Sequence, residues 1–249
     1  MSGAAIHLDN VMVAYGRNAA VSGVTGSFAP GSLTAIAGPN GAGKTTLLKA
    51  LMGEVPLAAG TIDRGGLGPR DFGYLPQLAE IDRSFPISVY DMVAMGLWRG
   101  KGLFGGIGGK DRDTVEGAIS AVGLTGFEPR PIGTLSGGQM QRMLFARLLL
   151  QDARVIVLDE PFNAIDAKTC ADLLDLVRRW HAEKRTVLAA MHDLELVRMN
   201  FPEALLLARE PVAWGATADV LTAENMLKAR RMCEAFDEEA EACVVAEAV

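Results

Sequence analysis

No stretch of this chain approaches the roughly 20 uninterrupted apolar residues of a membrane helix, although 49% of its 249 residues are hydrophobic. Its most apolar segments, such as Leu148-Leu-Leu150 and Ala204-Leu-Leu-Leu-Ala208, are broken by charges within a few positions, so any membrane connection is expected to run through a partner. Cysteine is scarce: Cys170, Cys233 and Cys243 show no C-x-x-C pairing, which reads as free thiols and excludes a disulfide framework. There is no basic excess either. With 24 Lys and Arg against 30 Asp and Glu, the net charge is −6 and offers no general basic face to a nucleic-acid backbone. The opening Met1-Ser-Gly-Ala-Ala-Ile-His lacks a basic start and a sustained apolar core, so no leader is expected and the location reads as cytoplasmic. Only three histidines occur, and His7 and His181 have no motif around them.

What is present is a phosphate loop. Gly38-Pro-Asn-Gly-Ala-Gly-Lys-Thr45 matches G-x-x-x-x-G-K-[ST], in which glycines let successive backbone N–H groups curl around phosphate oxygens. Ser32-Leu-Thr-Ala-Ile-Ala37 before it reads as a short buried strand, and Thr45 to Met52 as the opening turns of a helix. Gly38, Asn40, Gly41, Ala42, Gly43, Lys44, Thr45 and Thr46 are thus candidate nucleotide-binding residues. Lys44 would neutralise the β- and γ-phosphates of ATP, and the Thr45 hydroxyl would hold Mg²⁺.

A second element is the run Val155-Ile-Val-Leu-Asp-Glu160, whose four apolar residues fit a central parallel strand with both faces covered. Ligands of open α/β sheets gather at the carboxyl ends of such strands. Asp159 is therefore a candidate Mg²⁺ ligand, and Glu160 a candidate base for the water that attacks the γ-phosphate, help worth about 10²–10⁴ in rate. A charged exit into a turn is the alternative. The third element, Leu135-Ser-Gly-Gly-Gln139 ahead of Met140-Gln-Arg142, places Ser136 and the backbone of Gly137 and Gly138 at a helix start as a second phosphate cradle. An ordinary serine cap with a glycine turn is the plainer reading.

These three elements, in this order, resemble the ATP-binding cassette (ABC) ATPase family, whose members work as head-to-tail pairs. The resemblance implies an α/β fold of the P-loop NTPase type: a mainly parallel sheet with flanking helices, an N-terminal antiparallel β portion and an inserted helical subdomain. It further implies that Ser136, Gly138 and Gln139 close on the ATP held by another copy, so that ATP binding makes a homodimer. Tyr15 would stack on adenine, where a turn tyrosine is the alternative, and Gln77 would reach Mg²⁺ and the attacking water. His192, before Asp193, would contact the γ-phosphate and orient that water. Asn163-Ala-Ile-Asp166 stands where the family more often has Ser-Ala-Leu-Asp; this departure keeps Asp166, in the loop that links the two ATP sites.

Along the chain, short apolar runs and turn signals from Ile6 to about Gly65 suggest strands flanking the phosphate loop. From about Ser88 to Leu150 the pattern turns helical: Val115, Ala118, Ile119 and Val122 recur at helical spacing and stop at Gly123. Leu173, Leu176, Val177 and Trp180 repeat the spacing, and strand and helix alternate through Ala208, implying parallel βαβ units. The expected organisation is an ATPase domain over 1–225, with its helical subdomain at about 86–150, and a C-terminal helix with an acidic tail over 226–249. The tail reads as a solvated end rather than a metal site.

The segment Arg83-Ser-Phe-Pro-Ile-Ser-Val-Tyr-Asp-Met-Val-Ala-Met-Gly96 resembles the same region in cassettes of zinc and manganese importers. Asp91 and Met95 would lie near the groove that receives a short helix of an integral-membrane permease. The following glycine-rich segment offers Trp98, Leu103, Phe104 and Ile107 to a partner, or equally to their own domain. The expectation is the ATPase subunit of a bacterial importer of a divalent metal such as zinc or manganese, on the cytoplasmic face of the cell membrane. It would serve permease subunits and, indirectly, a periplasmic or lipoprotein metal-binding protein. An iron-chelate importer and a soluble assembly of the iron–sulfur scaffold type are the alternatives. A non-catalytic module is disfavoured, because Lys44, Asp159, Glu160 and His192 are all present.

Overall fold

The computed structural model describes residues 4–16, 18–98 and 108–246. The chain divides into two compact units, residues 1–69 with 188–249, and residues 70–187.

In the first unit, alternation drives an antiparallel sheet of order β2-β1-β4. Strand β1 (Ile6–Tyr15) buries Ile6, Leu8, Val11 and Val13, and β2 (Asn18–Phe28) buries Val21, Val24 and Phe28. Ile6 faces Phe28 and Val11 faces Val24 in the register, with irregularities between Leu8 and Ala14. Asn10 lies there at φ 46°, a left-handed conformation that asparagine tolerates better than most residues. Strand β4 (Ala59–Asp63) completes the sheet beside β1.

Strand β3 (Leu33–Ala37) has no such alternation because all five of its residues are buried, as a strand covered on both faces requires. It pairs in parallel with β8 (Glu203–Ala208), which turns at Arg209 into the antiparallel β9 (Glu210–Ala216). Strand β7 (Thr186–Met191) enters this unit with Leu188–Met191, and the order here is β7-β3-β8-β9. Helix α1 (Lys44–Met52) follows β3. Its last carbonyls, which an α-helix leaves unpaired, accept from the Arg64 guanidinium: Leu51 O at 2.6 Å and Ala50 O at 2.9 Å.

In the second unit, β5 (Phe72–Leu75) pairs in parallel with β6 (Val155–Asp159), and β7 enters with Thr186 and Val187 to give the order β5-β6-β7. Helices α2 (Val89–Ala94), α3 (Gly109–Ala121), α4 (Gly137–Leu150) and α5 (Ala167–Ala182) belong to this unit, with α2 and α3 packed against α4 and α4 against β5. Ser88 caps α2, its hydroxyl oxygen accepting from the Asp91 amide at 3.0 Å. Helix α3 buries Val115, Ala118 and Ile119 and ends before Gly123 at φ 71°, as the spacing predicts. On α5 the pattern is partly shifted: Leu173, Val177 and Trp180 are buried, but Leu174 is buried where Leu176 is only half so. The inward face of α5 is therefore centred between those two positions. Phe145 of α4 stacks on Trp180 with ring centroids 5.8 Å apart, a geometry that adds to the area the two rings bury.

Helices α6 (Leu194–Asn200), α7 (Thr217–Val220) and α8 (Ala223–Ala246) are the last helices among the described residues. Among the described residues no helix is long and apolar enough to cross a membrane.

Candidate active site

The phosphate loop leaves the buried end of β3 and turns into α1 at Gly43, whose φ of 89° suits glycine. A side chain there has no room: a Cβ on Gly43 would stand 2.3 Å from the Ala20 carbonyl oxygen and 2.7 Å from Val21 Cγ2. The loop is braced from behind by the Arg209 amide, which donates to Ala42 O at 2.9 Å, and Ala42 is buried. Gly43 supplies no side-chain cap to α1, and a helix start of this kind is suited to binding anions.

Lys44 is only 5% exposed, and its ammonium donates to Gly38 O at 2.8 Å and Pro39 O at 2.9 Å. The cation is thereby folded back over the loop that carries it. Thr45 and Thr46 are half-buried, whereas Asn40 and Gly41 are exposed. In the same unit Tyr15 ends β1 and is 56% exposed, an open aromatic face. His192 is exposed immediately after β7, and Asp193 caps α6 by accepting from the Glu195 and Leu196 amides, both at 3.0 Å.

The second unit holds the carboxylates. Asp159, at the end of β6, is fully buried. Gln77 Nε2 donates to its Oδ1 at 3.2 Å, and the Tyr74 hydroxyl approaches Oδ2 at 3.5 Å. Two of the residues expected to share a metal ion thus lie against each other, although 82 positions separate them. A buried carboxylate needs hydrogen bonds or a cation to offset its lost hydration, and this pair supplies the first.

Glu160, half-buried, adopts φ 49°, a conformation uncommon outside glycine and often found at functional sites. Its carboxylate accepts from Asn163 Nδ2 at 3.2 Å. Helix α4 starts at a reciprocal cap: Ser136 Oγ accepts from the Gln139 amide at 3.3 Å while Gln139 Oε1 accepts from the Ser136 amide at 3.0 Å. This is a capping box, so the Gln139 side chain is engaged in holding the helix start.

Gly137 and Gly138 follow in the first turn, where a Cβ on Gly138 would meet Asp166 Oδ2 at 3.5 Å. Asp166 in turn caps α5, accepting from the Thr169 hydroxyl at 2.7 Å and the Thr169 amide at 2.9 Å. The Thr169 hydroxyl bond, followed by the amide bond, holds the Asp166 carboxyl below the usual aspartate value.

The model of the ABC transporter family matches residues 21–163, a span that contains the phosphate loop, the capped Ser-Gly-Gly turn and the Asp159-Glu160 corner. The chain belongs to the ABC transporter family. It is 38% identical over 225 residues to the manganese transport system ATP-binding protein of Listeria innocua, covering 89% of this chain and 94% of that protein. It is 37% identical over 229 residues to the zinc transport system ATP-binding protein of Treponema pallidum, covering 90% of this chain and 86% of that protein. Among solved structures it is similar to a chain of a transporter assigned to the metal-chelate type of ABC transporter, in an inward-facing conformation. There the TM-score is 0.81 at 28% identity, covering 93% of this chain and 90% of the other.

This ABC ATPase holds further residues that motif reading does not single out. Arg142, 16% exposed, links three elements: its guanidinium donates to Val122 O at 3.0 Å, to the Thr169 hydroxyl at 3.1 Å and to Asp172 at 2.7 Å. Gln141 Nε2 donates to Pro161 O at 2.6 Å in a buried setting. The signal for Thr169 was in the chain, since Asp166-x-x-Thr169 has the spacing of a helix cap and its third residue. Nothing local marks Tyr74, and Gln141 stands in the Met140-Gln-Arg142 run with no local sign of its partner Pro161. Around the segment expected to meet a permease, Phe85 is 60% exposed and Trp98 56% exposed, Met95 is half-buried, and the Asp91 carboxylate accepts from the Ser88 hydroxyl at 2.6 Å. Leu103, Phe104 and Ile107 lie outside the described residues.

Proposed function

We propose that this ABC ATPase hydrolyses ATP between two copies of itself and thereby drives a bacterial importer of a divalent metal, zinc or manganese. The observation that supports this reading is that one chain carries two glycine-bearing helix starts of a kind suited to phosphate. One is the loop ending at the buried Lys44; the other is the Ser136-capped start of α4 with Gly137 and Gly138. A nucleotide with its phosphates in the loop of one copy presents the γ-phosphate to the Ser136, Gly138 and Gln139 turn of the other.

In that complex Lys44, released from the loop carbonyls, neutralises phosphate charge, the amides from Gly38 to Thr46 bind the phosphate oxygens, and Tyr15 stacks on the adenine. Glu160 accepts the proton of the attacking water, Gln77 and His192 orient that water, and Asp166 joins the two sites. Thr45, Gln77 and Asp159 offer a hydroxyl, an amide and a carboxylate, hard oxygen donors of the kind Mg²⁺ takes. Held by these residues, Mg²⁺ would supply positive charge that offsets the charge of the phosphates.

The cargo reading rests on the names of the relatives, and the partners follow from it: permease subunits at the cytoplasmic face of the membrane, and through them a metal-binding protein outside. The likeness to a transporter of metal-chelate type favours a second reading, import of a chelated metal. Reconstitution with the permease and parallel uptake of Zn²⁺, Mn²⁺ and a ferric chelate tests both. ATP-dependent accumulation of Zn²⁺ or Mn²⁺ is expected. Accumulation of the ferric chelate alone would replace the cargo, and ATP turnover without any permease that binds the chain would replace the transport role.

A further inference from the structure

We propose that Asn163 is a positioning residue for hydrolysis, its side-chain amide holding the Glu160 carboxylate in the orientation that accepts a proton from water. The inference rests on the reading of Glu160 as the base. Four observations build the corner. Glu160 sits at φ 49°, so the backbone reverses at the base itself. The Asn163 amide N–H donates to Glu160 O at 3.3 Å, which closes the turn. Gln141 Nε2 donates to the intervening Pro161 O at 2.6 Å, and Pro161 is buried, so the turn is anchored to helix α4.

The fourth is the side-chain bond, Asn163 Nδ2 to Glu160 Oε2 at 3.2 Å. A glutamate with three side-chain torsions otherwise samples many rotamers at a half-buried site. Tying one carboxylate oxygen leaves the other oxygen free to take a proton and limits where it can point. The amide carries no charge, so it orients the carboxylate through a directed hydrogen bond and adds no ion pair. A hydroxyl side chain at position 163, as in Ser-Ala-Leu-Asp, ends one bond nearer the backbone and donates a single hydrogen from a shorter arm.

The test uses the full chain and a double-mutant cycle. Asn163→Leu keeps the branched shape and deletes the donor, and Asn163→Asp keeps the size and deletes the donor too. Each is expected to lower kcat about tenfold, the worth of a hydrogen bond to a charged group, with KM for MgATP and MgATP-driven dimerisation unchanged. Added to Glu160→Gln, Asn163→Leu is expected to cause no further loss, because residues acting as one unit are not additive. Wild-type or raised kcat in the single variants would overturn the proposal, as would losses that multiply in the Glu160→Gln background. Full turnover by Glu160→Gln alone would instead remove the base assignment, and the proposal with it.

Discussion

Two glycines of the phosphate loop share a left-handed backbone and differ in what surrounds them, which makes Gly43→Ala and Gly41→Ala a matched pair. A Cβ on Gly41, at φ 76°, would have no neighbouring atom within 4 Å, whereas on Gly43, at φ 89°, it would stand 2.3 Å from Ala20 O. The conformation alone costs an alanine about 1–2 kcal/mol, and that is the whole expected effect at position 41. At position 43 the obstructing atom is a backbone carbonyl of β2, which cannot rotate aside, so strand or helix must shift by several tenths of an ångström or more. Overpacking of this kind adds about 1–3 kcal/mol, for a total of about 2–5 kcal/mol. In a chain of this size each kcal/mol moves Tm by about 2–4 °C. Thermal unfolding should therefore show Gly41→Ala lower by about 4 °C and Gly43→Ala by about 10 °C. ATP affinity should fall more in the second, because its shift moves the amides proposed to bind phosphate. Equal melting temperatures, or a Gly43→Ala protein that melts above Gly41→Ala, would mean that the Ala20 carbonyl is no obstacle at position 43.

Arg64→Ala leaves the Leu51 and Ala50 carbonyls without their guanidinium donor, and urea unfolding should report a loss of about 2 kcal/mol, the size of charge-assisted hydrogen bonds. The cap of α5 carries a pH dependence of definite sign. Since the folded state holds Asp166 below the usual aspartate value, its stabilising contribution is complete at neutral pH. It is lost as pH falls below the ordinary aspartate range and through the lower folded value. Hydrogen exchange at the Thr169 amide should therefore lose protection on acidification in that window, and protection that stays flat or rises there would contradict the assignment. The same amide in Asp166→Ala should be less protected at neutral pH.

Legibility followed distance along the chain. The phosphate loop, the Ser136 cap and the strand ending at Asp159 are short patterns whose meaning lies in adjacent residues, so their elements could be read without coordinates. The apolar face of α3 was equally plain because its buried residues keep helical spacing up to Gly123. On α5, leucines at both 174 and 176 flank the inward stripe, and periodicity could not tell which of them packing would cover. The contact of Gln77 with Asp159 joins strand ends far apart in sequence, and the brace from Gln141 to Pro161 joins a helix to a turn. Neither leaves a local trace. Asn163 was visible as a departure from the usual Ser-Ala-Leu-Asp, but only geometry connects its amide to Glu160.

Ser136→Arg tests the proposed hydrolysis of ATP between two copies of this chain. The substitution puts a long cation where the Ser136 hydroxyl caps the glycine turn, while the loop of residues 38–46 proposed to hold the nucleotide is untouched. The measurement pairs MgATP-dependent dimerisation, followed by gel filtration or sedimentation, with steady-state turnover. Nucleotide is expected still to bind, while the MgATP dimer no longer forms and turnover falls by about 10² or more because the reacting groups are no longer assembled. Dimerisation and turnover at wild-type levels would contradict it.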